Sequence, residues 1–200
     1  VRRAADELEL PVTIRLIEAR SLGSLGRKQL LARLEQLGLL SQLLTAVHVP
    51  ELDESEAEQL SRVGASVAHC SRAGLKLGLS ECPVATLKAH NINVALGTDA
   101  AACSNDLSML AELQSAALTA RGLTPAPTPI PPHEWLHAAT LGGARALGLA
   151  EVTGSLTAGK WADLCCVDLA RAHTQPVYDP AAQLLFAASG DQVSDVWVAG

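Results

Sequence analysis

Aromatic residues are scarce in this chain: its 200 residues hold three Trp, one Tyr and one Phe. Platforms that stack successive bases of a nucleic acid need more rings than that. There is no run of basic residues either, and the net charge is −6. That balance argues against nucleic acid and against anionic membrane surfaces. No apolar stretch is long enough to span a bilayer. The five cysteines, Cys70, Cys82, Cys103, Cys165 and Cys166, form no CxxC pair. An odd number of thiols without a secretion signal fits a reducing, cytoplasmic compartment. Methionine is also absent from position 1, and the first residues read as the end of a helix. The natural amino terminus is therefore expected upstream of Val1.

What is present is a Leu-, Ala- and Val-rich interior. Apolar residues make up 48% of the chain and charged residues 18%, the balance of a globular core. Apolar strand-like runs alternate with helical spacing four times. Residues 10–18, 43–49, 64–69 and 93–96 read as strands too apolar to face water on either side. Between them, residues 28–37 carry Leu30, Leu31, Leu34 and Leu37 at helical spacing. Asp53 opens a further helix with Glu56 in the capping-box position, running to about Val63. Pro83 sits in the first turn of a helix ending near Ala89, and a helix over 107–120 follows the last strand. Parallel strands with helical crossovers are the economical reading, an α/β architecture. Four such units make half of an eight-fold barrel or a small open sheet. Residues 122–132 hold five of the ten prolines and read as an ordered linker. A helix over 134–147 follows, and beyond Leu149 the pattern changes to turns and short β runs at 163–167 and 193–198. We therefore expect one unit at 1–149 and a small β-rich module at 150–200.

Polar residues end the four strands: Glu18, His48, His69 and Asp99. In a parallel sheet all four carboxyl ends share one edge, which is where such folds place chemistry. A lone histidine after a strand is ordinarily structural, and Asp99 could simply cap the helix that follows it. Four aligned polar ends point instead to a site. The chemistry they suggest is metal-assisted hydrolysis: a zinc-bound water, an Asp to ligate the metal or take a proton, a Glu to shuttle one and a His to polarise the forming oxyanion. Spacing alone also permits His48, His69 and Asp99 as three zinc ligands with one open position.

Other motifs read as structure. His133-Glu134-Trp135-Leu136-His137 matches the H-E-x-x-H spacing of zinc proteases, but it follows Pro131-Pro132 at an ordinary helix start. Cys165, Cys166, Trp161 and Trp197 are expected in the core of the small module. Residues 51–58 read as a solvated acidic helix start.

A series of motifs in chain order carries a resemblance. It comprises Thr45-Ala-Val-His48, Val67-Ala-His69-Cys70, Gly74-Leu-Lys-Leu77, Cys82-Pro83-Val84, Val94-Ala-Leu-Gly-Thr-Asp99 and Ser104-Asn105-Asp-Leu107. Ala139-Thr140-Leu-Gly-Gly-Ala-Arg-Ala-Leu-Gly148 and Gly154-Ser-Leu-Thr-Ala-Gly-Lys-Trp-Ala-Asp163 continue it. The whole chain resembles the carboxyl-terminal half of amidohydrolases of the chlorohydrolase/deaminase group. Within that group it is most similar to the deaminases of 5′-methylthioadenosine and S-adenosylhomocysteine. The resemblance implies strands five to eight of a (β/α)₈ TIM-type barrel, followed by part of a small β-sandwich built from both chain ends. It implies a zinc or other divalent ion, with Asp99 as a metal ligand that also handles the water's proton. It further implies that Glu18 shuttles protons to the substrate nitrogen, that His48 sits over the attacked carbon, and that His69 belongs to the substrate side.

Two departures bear on the metal. The family's fifth-strand ligand is a His three residues before the Glu, and Arg15 stands there. A guanidinium keeps its proton and offers no lone pair. The family's first-strand His-x-His is absent too, since no two of the six histidines are two apart. Arg72-Ala73-Gly74 also replace a polar, substrate-facing trio. The leading reading is hydrolytic removal of an amino group from an adenine-type nucleoside, a small purine-like partner, with no nucleic acid or membrane and room for a homo-oligomer. The rival is a truncated or degenerate segment without catalysis. A third reading keeps the enzyme class and changes the ring, to guanine, a triazine or another N-heterocycle.

Overall fold

The computed structural model describes residues 1–16, 23–49, 52–122 and 129–200. Four short strands, β1 (Val12–Arg15), β2 (Leu44–Val47), β3 (Ser66–His69) and β4 (Asn93–Leu96), form one sheet in the order β1-β2-β3-β4. All three pairings are parallel. The strands are four residues each; β4 matches its apolar run, and β1, β2 and β3 are shorter than theirs. The helices are α1 (Arg2–Leu8), α2 (Gly23–Gln36), α3 (Glu54–Val63), α4 (Ser71–Leu77) and α5 (Val84–Ala89), followed by α6 (Ala101–Ser104), α7 (Met109–Gly122), α8 (Pro132–Ala139), α9 (Leu141–Ala146) and α10 (Pro180–Phe186).

The core follows from the sequence pattern. Ala46 and Val67 on the central strands are fully buried, as are Leu60 of α3, Leu87 of α5 and Ala116 of α7. Each buried leucine contributes roughly 1.5–3 kcal/mol relative to exposure. Asp53 caps α3 as its spacing implies: its Oδ1 accepts from the Glu56 N–H, and its own N–H donates to Glu56 Oε2, both at 2.9 Å. Gly64 ends that helix in the left-handed conformation.

Four expectations change. The helix expected over 134–147 is two helices, α8 and α9, broken at Thr140. Its hydroxyl donates back to the Leu136 carbonyl at 2.7 Å, competing with the helical ladder. The break lets α9 dive beneath β4, where Gly142 has no room for a side chain: a Cβ there would lie 2.4 Å from the Val94 carbonyl oxygen. Second, Glu56 is not part of a solvated face; its capping bond carries it into the core, at 2% exposure. Third, Trp161, Trp197, Cys165 and Cys166 are not core residues. The strands β5 (Leu164–Val167) and β6 (Val193–Trp197) form a lone antiparallel pair. With no third strand paired to them among the described residues, these side chains stay exposed. Fourth, α4 follows β3 directly, a helix that the sequence pattern did not disclose. Past residue 149, α10 packs back against α7 and α8, so its Leu185 is buried with the first unit. Among the described residues no helix is long and apolar enough to cross a membrane.

Candidate active site

The parallel register sets the site. Arg15 aligns with Val47, Val47 with Ala68, and Ala68 with Ala95. His48 and His69 therefore stand one residue further along their chains than this row, and Asp99 leaves β4 through Gly97-Thr98. All of them reach the same, carboxyl edge of the sheet. Glu18 falls outside the described residues.

His48 and Asp99 meet: His48 Nε2 lies 3.1 Å from Asp99 Oδ2. The same oxygen accepts a hydrogen bond from the Arg15 guanidinium. Both His48 and Asp99 hold left-handed backbone, with φ of 52° and 57°. That conformation costs a non-glycine residue roughly 1–2 kcal/mol, and such outliers cluster where structure serves a site. Asp99 does not cap the next helix: Ala100 holds the N-cap position of α6 and no side chain closes it. The carboxylate is spent on His48 and Arg15 instead.

Electrostatics follow the geometry. Burial would push the Asp99 carboxyl up. The hydrogen bond to His48, the charge of Arg15, the Ala100 N–H and the Cys103 thiol outweigh burial and hold the carboxyl below its ordinary range. Asp99 is thus a carboxylate kept ionised at a partly open edge, its side chain 16% exposed.

His69 does not join this cluster. It turns to Glu81, with Nε2 3.1 Å from Glu81 Oε1, close enough for an ion pair though outside hydrogen-bond geometry. Thr119 of α7 donates to the same Glu81 oxygen at 3.0 Å. Burial would pull the imidazole's pKa down, but the Cys82 thiol and the Glu81 carboxylate beside the ring outweigh it and raise it to about 10. Beneath lies Glu112 of α7, fully buried, whose Oε1 accepts from the Arg72 N–H at 3.0 Å. Burial pushes the Glu112 carboxyl up, and burial raises the Cys70 thiol to about 12. A cavity of about 20 Å³, room for roughly one water, lies between His48, His69, Ser71 and Glu81. Glu81 and Glu112 were missed in the sequence. Neither sits at a strand end, and an isolated Glu in a loop or on a helix carries no signal of burial.

The three-ligand arrangement of His48, His69 and Asp99 is not formed, since His69 faces Glu81. Among the described residues no group of three or more His, Cys, Asp or Glu side chains is arranged to hold a metal ion. The loop after Asp99 is tied down from α4: Lys76 donates to the Ala102 carbonyl at 2.9 Å, and Arg72 pairs with Asp106. The H-E-x-x-H residues sit elsewhere, on α8. There Glu134 pairs with Lys88, and both histidines are exposed.

Comparison with known proteins places this edge in context. The sequence pattern of the amidohydrolase family matches residues 4–200. The chain is 41% identical over 201 residues to a 5-methylthioadenosine/S-adenosylhomocysteine deaminase of Teredinibacter turnerae, covering 98% of this chain and 45% of that protein. It is 44% identical over 169 residues to the corresponding deaminase of Moorella thermoacetica, covering 84% of this chain and 40% of that protein. Among solved structures it superposes on an adenosine deaminase from Xanthomonas campestris with bound zinc. That match has a TM-score of 0.94 at 42% identity and covers all of this chain and 46% of that one. Atrazine chlorohydrolase from Arthrobacter aurescens, complexed with zinc, gives a TM-score of 0.90 at 26% identity over 99% of this chain and 45% of its own. The chain thus spans about 45% of these relatives, and its sheet matches part of their TIM-barrel fold. Among the described residues, the donor set at this edge does not fit the zinc those two structures hold. The Asp99 oxygen that accepts from His48 also accepts from a guanidinium, which can donate but never ligate.

Proposed function

This chain belongs to the amidohydrolase family, and from that premise we propose that its sheet edge is the carboxyl-terminal share of a site for an adenine-type nucleoside of the methylthioadenosine/S-adenosylhomocysteine class. In this reading the four strands are the fifth to eighth of a (β/α)₈ barrel, residues 1–149 carry the half-barrel, and 150–200 belong to a smaller β-rich module. The reaction class is hydrolysis of a carbon–nitrogen bond, with release of the ring's amino group as ammonia. Such a reaction needs an acceptor for the attacking water's proton, a donor to the atom that gains charge, and a proton for the leaving amine. Asp99, kept ionised, is the acceptor. His48, oriented by its contact with Asp99, stands over the attacked carbon. Glu18 carries a proton to the ring nitrogen, the proton that Asp99 takes from the water passes on to the leaving amine, and His69 belongs to the substrate side.

The observation that carries the reading is the 3.1 Å His48–Asp99 contact at the carboxyl edge, made by two residues in left-handed backbone. Sequence similarity favours adenine over triazine rings, at 42% identity to the adenosine deaminase against 26% to the chlorohydrolase. A second reading also has a specific observation behind it. The Arg15–Asp99 pair favours a site that binds the nucleoside without efficient turnover.

Calorimetric titration of the purified protein with 5′-methylthioadenosine, guanosine and atrazine tests the substrate class, with ammonia release measured alongside. Saturable binding that favours the adenine nucleoside is expected, weakened about tenfold in His48→Ala, the worth of one buried hydrogen bond. Equal or tighter binding of guanosine or atrazine would reject the adenine assignment. Rapid ammonia release by the unmutated protein would reject the second reading.

A further inference from the structure

The cation that Asp99 faces is already part of the chain. Arg15 closes β1, and its guanidinium donates to Asp99 Oδ2, the oxygen that also meets His48. The guanidinium cannot be neutralised by releasing a proton at any ordinary pH, and it has no lone pair to share. A divalent ion arriving at this carboxylate would meet a fixed positive charge on the same oxygen. To bind, it would have to displace an ion pair between side chains only 31% and 16% exposed. The reward would be small, because a carboxylate alone does not make a zinc site: catalytic zinc takes about three protein ligands. Among the described residues the other donor in contact with Asp99, His48, is already engaged with it. His69 and Glu81 are engaged with each other below it.

We infer that Arg15 is the resident cation of this site, taking the electrostatic place of a metal ion on Asp99 and excluding divalent metal from the sheet edge. Asp99 is then oriented by Arg15 and His48 rather than by a metal. This inference does not need the nucleoside assignment, and its test uses none.

The test is zinc uptake by the purified protein after equilibrium dialysis against zinc, read by elemental analysis. It compares the unmutated protein with Arg15→His, Arg15→Ala and the double variant Arg15→His/Asp99→Asn. Circular dichroism checks that each is folded. The unmutated protein is expected to retain far less than one zinc per chain. Arg15→His, which swaps the guanidinium for a ligand, should retain several-fold more. Arg15→Ala, which removes the guanidinium without supplying a ligand, should fall between them, so the exclusion can be read even if one variant misfolds. The Asp99→Asn change should abolish the gain, which ties the ion to this carboxylate. One tightly held zinc per chain in the unmutated protein would overturn the inference. So would folded Arg15 variants that take up no more zinc than it does.

Discussion

Replacing Glu81 by Gln keeps its size and removes its charge, and it tests the buried pair beneath the site. His69 and Glu81 are 3% and 9% exposed at their side chains and 3.1 Å apart. The imidazole is faced by Cys82, Glu81 and, from α7, Glu112. The Glu81 carboxylate supplies counter-charge to the ring. The folded-state pKa of His69 is raised, from 6.5 to about 10. A raised histidine pKa stabilises the fold fully below the unfolded value, and the stabilisation is lost as pH rises through the folded one. The window is therefore pH 6.5 to about 10. At about 1.4 kcal/mol per unit, that interval sets a ceiling near 5 kcal/mol. Removing one partner of a buried pair costs about 3–5 kcal/mol, the same order. Urea unfolding of the unmutated protein and Glu81→Gln, repeated from pH 6 to pH 10, reads the effect. The variant should be less stable by about 3–5 kcal/mol at the acid end. The gap should narrow towards pH 10, where His69 is losing its proton in the unmutated protein. A gap that stays constant with pH would refute the charged pair and leave Glu81 a packing residue.

Three further outcomes follow from the same contacts. Asp53→Ala removes the acceptor for the Glu56 N–H and should lower the urea midpoint by the equivalent of about 1 kcal/mol; an unchanged midpoint would mean the box contributes nothing. Gly142→Ala drives a methyl to 2.4 Å from the Val94 carbonyl oxygen, so a loss of about 3 kcal/mol and a Tm lower by roughly 6–12 °C are expected by calorimetry; a Tm within a degree would show that α9 can back away from β4. Asp99→Asn removes a carboxylate whose folded pKa is lowered, so its contribution is present above about pH 4 and lost as pH falls through the folded value. That variant should lose about 1.5–3 kcal/mol at neutral pH and show a flatter acid limb in the same titration, whereas a limb as steep as the unmutated protein's would assign the acid sensitivity elsewhere.

The sheet was legible because its code is simple. Runs such as Val94-Ala-Leu are apolar on both faces, and that pattern, with helical spacing between runs, specifies parallel strands in chain order. The Asp53/Glu56 spacing was legible for the same local reason. What stayed hidden depends on contacts between distant residues. Gly142 looks like any glycine until β4 is laid across it. Glu81 and Glu112 look like surface carboxylates until α4 and α7 close over them. Trp161 and Trp197 are apolar enough for a core, but exposure depends on whether a third strand pairs with β5 or β6. At the site, the strand ends placed His48 and Asp99 on one edge. That Asp99 serves Arg15 and His48 rather than a helix cap depends on contacts between three separate strand ends.

We propose that the His48–Asp99 edge receives an adenine-type nucleoside. A crystal structure of the purified protein grown with 5′-methylthioadenosine tests it most directly. Electron density for the purine is expected at the carboxyl ends of β2 and β4, with the ring's amino-bearing carbon facing His48 and a polar ring atom within hydrogen-bond reach of Asp99. Density for the nucleoside at any other face, with that edge left unchanged, would contradict it.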